Sequence, residues 1–252
     1  MGAIIPEPQK EKKVEYLELI YDLIFVYIIG RNNSLLQHME NGFVPMEIFL
    51  AYVLGTLAII QIWNYSTFYI NLYGRNGVRD HVFLFVNMFL LYFMADSTSV
   101  HWQASVYKYS AAWALILINL GTQHLIELRN HKNAPWELAQ LKRKAVIILA
   151  EAALVGVHTL IYGLTGVSVA YVPILFGMAA MLISARGNAL APVDFMHLTE
   201  RVMLYVVFTF GEMIIAVAAY FGEEFSGNTV YFAAMAFLIV VGLFLSYGTF
   251  YN

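Results

Sequence analysis

Long apolar runs alternate with short polar stretches along the whole chain, and eight such runs can be distinguished. A helix that crosses the hydrocarbon core of a bilayer needs about 20 mostly apolar residues. The pattern therefore predicts an all-α, polytopic helix bundle that forms a single transmembrane domain over residues 1–252. The predicted spans cover about residues 17–36, 46–70, 82–97, 106–128, 145–164, 167–184, 202–221 and 230–250. The polar break at 163–167 is slight, so a bundle of seven spans is the alternative.

The positions of lysine and arginine favour eight spans. Loops that stay in the cytoplasm collect these residues, and eight alternating spans place 12 of the 14 basic residues on one side of the membrane. Omitting one span would divide them between the two sides. We therefore expect a multi-pass protein of the cell membrane with both termini in the cytoplasm.

The composition excludes several classes of protein. Hydrophobic residues make up 60% of the chain and charged residues 12%, with a mean hydropathy of +0.66, which disfavours a soluble enzyme. The chain has no cysteine, so disulfides and thiolate-bound metals are excluded. A net charge of -3 gives no indication of nucleic-acid binding. Nucleophilic triads, phosphate-binding glycine loops and dinucleotide motifs are absent, so we expect no enzyme and no cofactor.

Ionisable residues inside the predicted spans are the candidates for function, because a charge at the bilayer centre costs at least ~2.5 kcal/mol. The candidates for ion binding or proton relay are Glu18, Asp22, Glu151, His158 and Glu212, and the candidates for balancing their charge are Arg31 and Arg201. Glu212 is the strongest single candidate, since it lies about 15 Å deep in its span. The acids outnumber the arginines, so at least one carboxyl is expected to lack an arginine partner.

Structural roles compete with each of these assignments. Glu18 and Asp22 lie one turn apart near the inner interface, where they are placed to pair with Arg201 and lock the bundle. Glu151 and His158 share one helical face. They form either a proton relay or a pair of buried polar groups whose hydrogen bonds are satisfied. Arg31 faces another direction from Asp22, so it either meets a different helix or extends to the outer interface.

The segment from His197 to Glu200 places two potential metal ligands on one helical face. Two ligands are too few for a metal site, so no metal is expected. The alternative interpretation is a helix start, with Asp194 or Thr199 as the cap and Glu200 in the favourable first turn. Trp63, near the predicted inner interface, is interpreted as part of an aromatic belt.

Two motifs resemble those of the bacterial low temperature requirement A (LtrA) family. The first is ELIYDLIFV at residues 18–26, and the second is HLTER at 197–201, followed by Gly211 and Glu212. The regions around Trp63, Tyr69, Asn71, Asp80 and His81 are also similar to this family. Ile20 and Tyr21 depart from its usual paired phenylalanines. Members of the family generally carry further spans, whereas this chain ends at Asn252 with its eighth predicted span.

The resemblance implies a multi-span membrane protein named for growth in the cold, without a settled substrate. Our first hypothesis for its function is a proton- or cation-linked transporter or channel that uses the intramembrane carboxyls. The alternative is a non-catalytic membrane component that supports growth or stress adaptation in the cold, in which the same charges lock helices together. A third hypothesis, an intramembrane enzyme using His197 and Glu200, has no supporting motif. The expected partners are the lipid bilayer and protons or small cations.

Overall fold

A computed structural model describes residues 13–99, 102–131, 135–186, 193–219 and 226–251. Within these ranges the chain forms eight α-helices and one short 3₁₀ helix, Ser34–Gln37. The α-helices are α1 (Tyr16–Asn33), α2 (Met46–Tyr73), α3 (Val78–Asp96), α4 (Trp102–Glu127), α5 (Pro135–Thr165), α6 (Tyr171–Arg186), α7 (Phe195–Ala219) and α8 (Gly227–Tyr251). Each predicted span overlaps one of these helices, with limits that differ by up to ten residues.

The break between the fifth and sixth predicted spans is a true helix boundary. Helix α5 ends at Thr165, and Gly166 then adopts a φ of 70°, a conformation that glycine enters without the Cβ clash of other residues. The backbone resumes as helix at Tyr171. The two apolar runs are therefore separate helices.

In the part of the chain that the structure describes, five helices are long and apolar enough to cross a membrane: α2, α3, α5, α7 and α8. Helix α6 is apolar but shorter. Helix α5 starts ten residues before its predicted span, at Pro135. Its first turns are rich in Glu, Gln, Lys and Arg, which favour helix but lower the hydropathy. The helices thus have the character of a multi-pass membrane protein.

The described residues form two compact units, one ending at Thr199 and one beginning at Glu200. In the first unit, side-chain amides that are buried or half-buried tie neighbouring helices together. Asn32 of α1 donates to Thr56 Oγ1 of α2 at 2.8 Å, and Asn119 of α4 donates to Asn87 Oδ1 of α3 at 2.9 Å. Such interhelical hydrogen bonds stabilise helix contacts where the surroundings offer no water.

The second unit contains α8 and the part of α7 that follows Thr199. Aromatic rings join its two helices. Phe210 contacts Phe244 edge to face, with ring centroids 5.5 Å apart, and lies 6.4 Å from the ring of Tyr247. Edge-to-face pairs of this kind add to the apolar contact area between helices.

Candidate functional site

A buried carboxyl on α5 is the centre of a polar cluster between α2 and α5. Glu151 is fully buried, and its Oε2 accepts hydrogen bonds from Tyr65 Oη at 2.7 Å and from Gln61 Nε2 at 3.1 Å. Gln61 Nε2 also donates to Tyr65 Oη at 2.6 Å. Gln61 and Tyr65 lie four residues apart on α2, so they share one face of that helix. We call these three residues the Glu151 cluster.

The Glu151 carboxyl has unused binding capacity. Its Oε1 is buried and has no hydrogen-bond partner among the described residues. No lysine or arginine among the described residues lies within ion-pair distance of the Glu151 carboxyl. Burying a carboxylate without a cation is costly in free energy. A proton or a small cation on this carboxyl would remove that cost.

Gly177 lets the backbone of α6 lie directly against the Glu151 cluster. A Cβ at this position would lie 2.6 Å from Tyr65 Oη, and closer still to Gln61 Nε2 and Glu151 Oε2. Any larger residue would therefore push α6 away or displace the polar groups. Because Gly177 has no side chain, the backbone of α6 packs directly against the cluster and covers it on a third side.

The first unit contains two cavities, of which the first adjoins this cluster. The Lys144 cavity has a volume of about 480 Å³, and its walls include Gln61, Tyr65, Lys144 and Gly177. The His158 cavity has a volume of about 1050 Å³, and its walls include Trp113, His158, Tyr162 and Ile174. Cavities of this size are typical of sites that bind small molecules.

The change from one cavity to the other occurs at the depth of Glu151. Along α5, Lys144 lines the first cavity and His158 lines the second, with Glu151 midway between them. Along α6, Ile174 lines the His158 cavity and Gly177 lines the Lys144 cavity. Along α5 and α6, the Glu151 cluster therefore lies between the residues that line the two cavities, and it borders the Lys144 cavity through Gln61, Tyr65 and Gly177.

His158 is buried on the same face of α5 as Glu151, as the periodicity predicts. Its Nδ1 accepts a hydrogen bond from Val169 N–H at 3.3 Å, so the neutral ring carries its proton on Nε2. The two residues are seven positions apart, or about 10.5 Å along the helix axis. Among the described residues no hydrogen bond joins these two side chains directly, and their role as a proton relay stays a prediction.

Glu18 joins α1 to the start of α7 through His197. His197 Nε2 lies 3.0 Å from Glu18 Oε2, and both residues are buried. Asn71 of α2 is oriented by the backbone of Asp194, because its Nδ2 donates to the Asp194 carbonyl and its Oδ1 accepts from the Asp194 N–H. The same Nδ2 faces His197 Nδ1 at 3.2 Å. Nδ1 is therefore the acceptor, and the proton on Nε2 points to Glu18.

The interpretation of residues 197–200 as a helix start is confirmed. Asp194 Oδ1 accepts a hydrogen bond from His197 N–H at 3.1 Å, which is the geometry of an N-cap. Among the residues that the structure describes, no group of three His, Asp or Glu side chains is placed to hold a metal ion.

Asp22 lies one turn from Glu18 and is fully buried. Its Oδ1 accepts a hydrogen bond from Trp63 Nε1 of α2 at 2.9 Å. Trp63 is only 7% exposed, so its interpretation as part of an aromatic belt is wrong. The indole is buried because it donates a hydrogen bond to the buried Asp22 carboxyl of α1. The sequence pattern did not reveal this contact between two helices.

The remaining predicted residues do not join the Glu151 cluster. Arg31 is exposed at the end of α1. Glu200, Arg201, Gly211 and Glu212 belong to the second unit, where Glu212 is half-buried. The predicted pairing of the α1 carboxyls with Arg201 and the predicted role of Glu212 stay predictions.

Sequence reasoning missed an ionic cluster centred on Glu127 at the end of α4. Glu127 is fully buried, and its carboxylate forms ion pairs with Arg79 and, at 3.3 Å, with Arg75. His131 Nε2 lies 3.2 Å from the same carboxylate and contacts Glu137 through Nδ1. These residues hold the α2–α3 connection against the α4–α5 connection. The sequence feature that could have indicated this cluster is the predicted location of both connections on the same side of the membrane.

Comparison with known proteins identifies the family. The sequence profile of the bacterial low temperature requirement A protein (LtrA) matches residues 13–249, which is nearly the whole chain. The chain belongs to the LtrA family. No curated protein and no solved structure gives a match. The structure brings the two LtrA motifs into contact, because Glu18 of the first bonds to His197 of the second.

Proposed function

We propose that this LtrA protein is a proton- or cation-linked transporter or channel of the cell membrane, and not an enzyme. The observation that carries the proposal is the position of Glu151. It is a fully buried carboxyl with an unused oxygen, and along α5 it lies between Lys144, which lines one cavity, and His158, which lines the other. Ionisable groups inside membrane proteins commonly mark the paths of ions and protons.

Glu151 is the central binding group in this proposal. A proton or a small cation reaches the carboxyl from one cavity, neutralises it, and leaves towards the other. On the side of the Lys144 cavity, Tyr65 and Gln61 connect the carboxyl to the cavity wall. On the other side, His158 provides a titratable ring about 10.5 Å further along α5, a distance that water can bridge.

In this proposal, passage from one cavity to the other requires the Glu151 cluster to open. Gly177 closes it on the side of α6, so a small displacement of α6 relative to α2 would change the access to Glu151. Packed elements commonly move by such small shear displacements. The other predicted carboxyls, Glu18, Asp22 and Glu212, are supporting relay sites in this proposal, and Arg31 and Arg201 balance charge.

A second candidate function rests on the residues around His197. Glu18, Asp22, Asn71 and His197 are all buried and hydrogen-bonded, which is the arrangement expected of groups that lock helices together. This observation favours a non-catalytic membrane component that supports growth in the cold. The two candidates differ in what they require of Glu151, which the second does not use.

The test is ion flux in reconstituted vesicles. The purified chain is incorporated into liposomes, a pH gradient is imposed with Na⁺ or K⁺ present, and flux is followed with a pH-sensitive dye. Glu151→Gln keeps the shape of the side chain but removes its titration, so we expect it to abolish the wild-type flux. Glu40→Gln makes the same chemical change at an exposed turn and is the matched control.

The result separates the candidates. Flux that is lost in Glu151→Gln and retained in Glu40→Gln supports transport through Glu151. Flux lost instead in Glu212→Gln would move the central site to α7. A folded wild-type protein without any flux would contradict the proposal and favour the structural candidate.

A further inference from the structure

The Lys144 cavity has an apolar outer rim and a polar inner wall. Its rim includes Phe68, Met178 and Leu182, which are 39%, 41% and 63% exposed. Its inner wall includes Gln61 and Tyr65, which are buried. In a membrane, exposed apolar side chains on a helical bundle face lipid tails. The rim therefore offers a groove that an acyl chain can enter.

Lys144 places a cation at one end of this groove. The side chain is half-buried, and its Nζ lies 5.9 Å above the centre of the Tyr73 ring. No carboxylate among the described residues forms an ion pair with it. A partly buried ammonium is stabilised by an anion beside it. Among the described residues that line the groove there is no other lysine or arginine, and no aspartate or glutamate.

The position of Lys144 along α5 corresponds to the level of lipid headgroups. It immediately precedes the apolar run of residues 145–164, and Lys142 and Arg143 precede it. Groups of basic residues next to a membrane span attract anionic headgroups. Polar groups of Gln140 and Ser184 also line this end of the cavity. The groove thus combines a basic polar end with an apolar body.

We propose that the Lys144 cavity binds a membrane phospholipid with an anionic headgroup. The phosphate lies beside Lys144, and one acyl chain follows the rim along α2 and α6. The volume of about 480 Å³ is in the usual range for a bound ligand. The complementarity in charge selects an anionic lipid over a zwitterionic one. This inference goes beyond the proposed function and holds whether or not the chain carries ions.

The test measures which lipids the protein retains. The purified chain is exchanged into detergent micelles that contain equal amounts of phosphatidylglycerol and phosphatidylcholine with the same acyl chains. Native mass spectrometry then gives the ratio of the two lipids bound. We expect the wild type to favour phosphatidylglycerol, and Lys144→Gln to lower the preference roughly five-fold.

Three variants control the experiment. Lys142→Gln removes the same charge from an exposed position on the same helix, and we expect it to keep the preference. Lys144→Arg keeps the positive charge, so we expect it to keep the preference for phosphatidylglycerol as well. Met178→Trp fills the rim and should reduce the binding of both lipids without changing their ratio.

Two results would overturn the inference. One is a wild-type ratio equal to that of the micelle. The other is an equal loss of preference in Lys142→Gln and Lys144→Gln, which would indicate only a general attraction to basic residues.

Discussion

Replacement of Gly177 by alanine is expected to disrupt the Glu151 cluster. The added methyl group would lie 2.6 Å from Tyr65 Oη and closer to Gln61 Nε2 and Glu151 Oε2. These atoms are the ends of long side chains, but they are buried and bonded to one another, so their displacement breaks hydrogen bonds. Overpacking costs about 1–3 kcal/mol, and each lost hydrogen bond about 1 kcal/mol. We expect a total destabilisation of about 2–4 kcal/mol.

The assay is thermal unfolding in detergent, with Gly156→Ala as the matched control. Gly156 lies in α5, and a Cβ there meets no atom within 4 Å. Alanine at this helical position should leave stability unchanged or raise it slightly. Truncating Glu151 to alanine should relieve part of the Gly177→Ala penalty, because the two groups contact each other. Equal melting temperatures of Gly177→Ala and Gly156→Ala would refute the packing described for α6.

Two further predictions concern the polar contacts outside this cluster. Asn71→Ala removes both hydrogen bonds to the Asp194 backbone, so we expect a loss of about 2–3 kcal/mol in unfolding assays. Asn64→Ala on the same helix should cost less than about 1 kcal/mol, and similar losses would contradict this account. Glu127→Gln leaves two partly exposed arginines opposite a neutral amide, and we expect a loss of about 1–2 kcal/mol that salt diminishes. A loss as small as that of Glu40→Gln would show that the ion pairs contribute nothing.

The sequence predicted the number and the approximate limits of the helices, because long apolar runs and basic loops are local signals. It missed the first ten residues of α5, where charged residues favour helix but lower hydropathy. Helical phase correctly placed Glu151 and His158 on one buried face. Helical phase shows which residues share a face of one helix, but it does not show which other helix that face contacts.

The partners of each polar residue were beyond sequence reasoning, since they come from other helices. Nothing in the pattern joins Trp63 to Asp22 or Asn71 to His197, which are 41 and 126 positions apart. The role of Gly177 likewise depends on which helix it faces. The sequence identified Glu151 as a candidate, whereas its cavities and its hydrogen bonds required the packing of α2, α5 and α6.

Ion flux across a liposome membrane shows whether Glu151 lies on a transport path. The wild type is compared with Glu151→Gln under an imposed pH gradient, after both have been shown to be folded. We expect flux in the wild type and none in the variant. Equal flux in the two proteins, or no flux in the folded wild type, would contradict a transport path through Glu151.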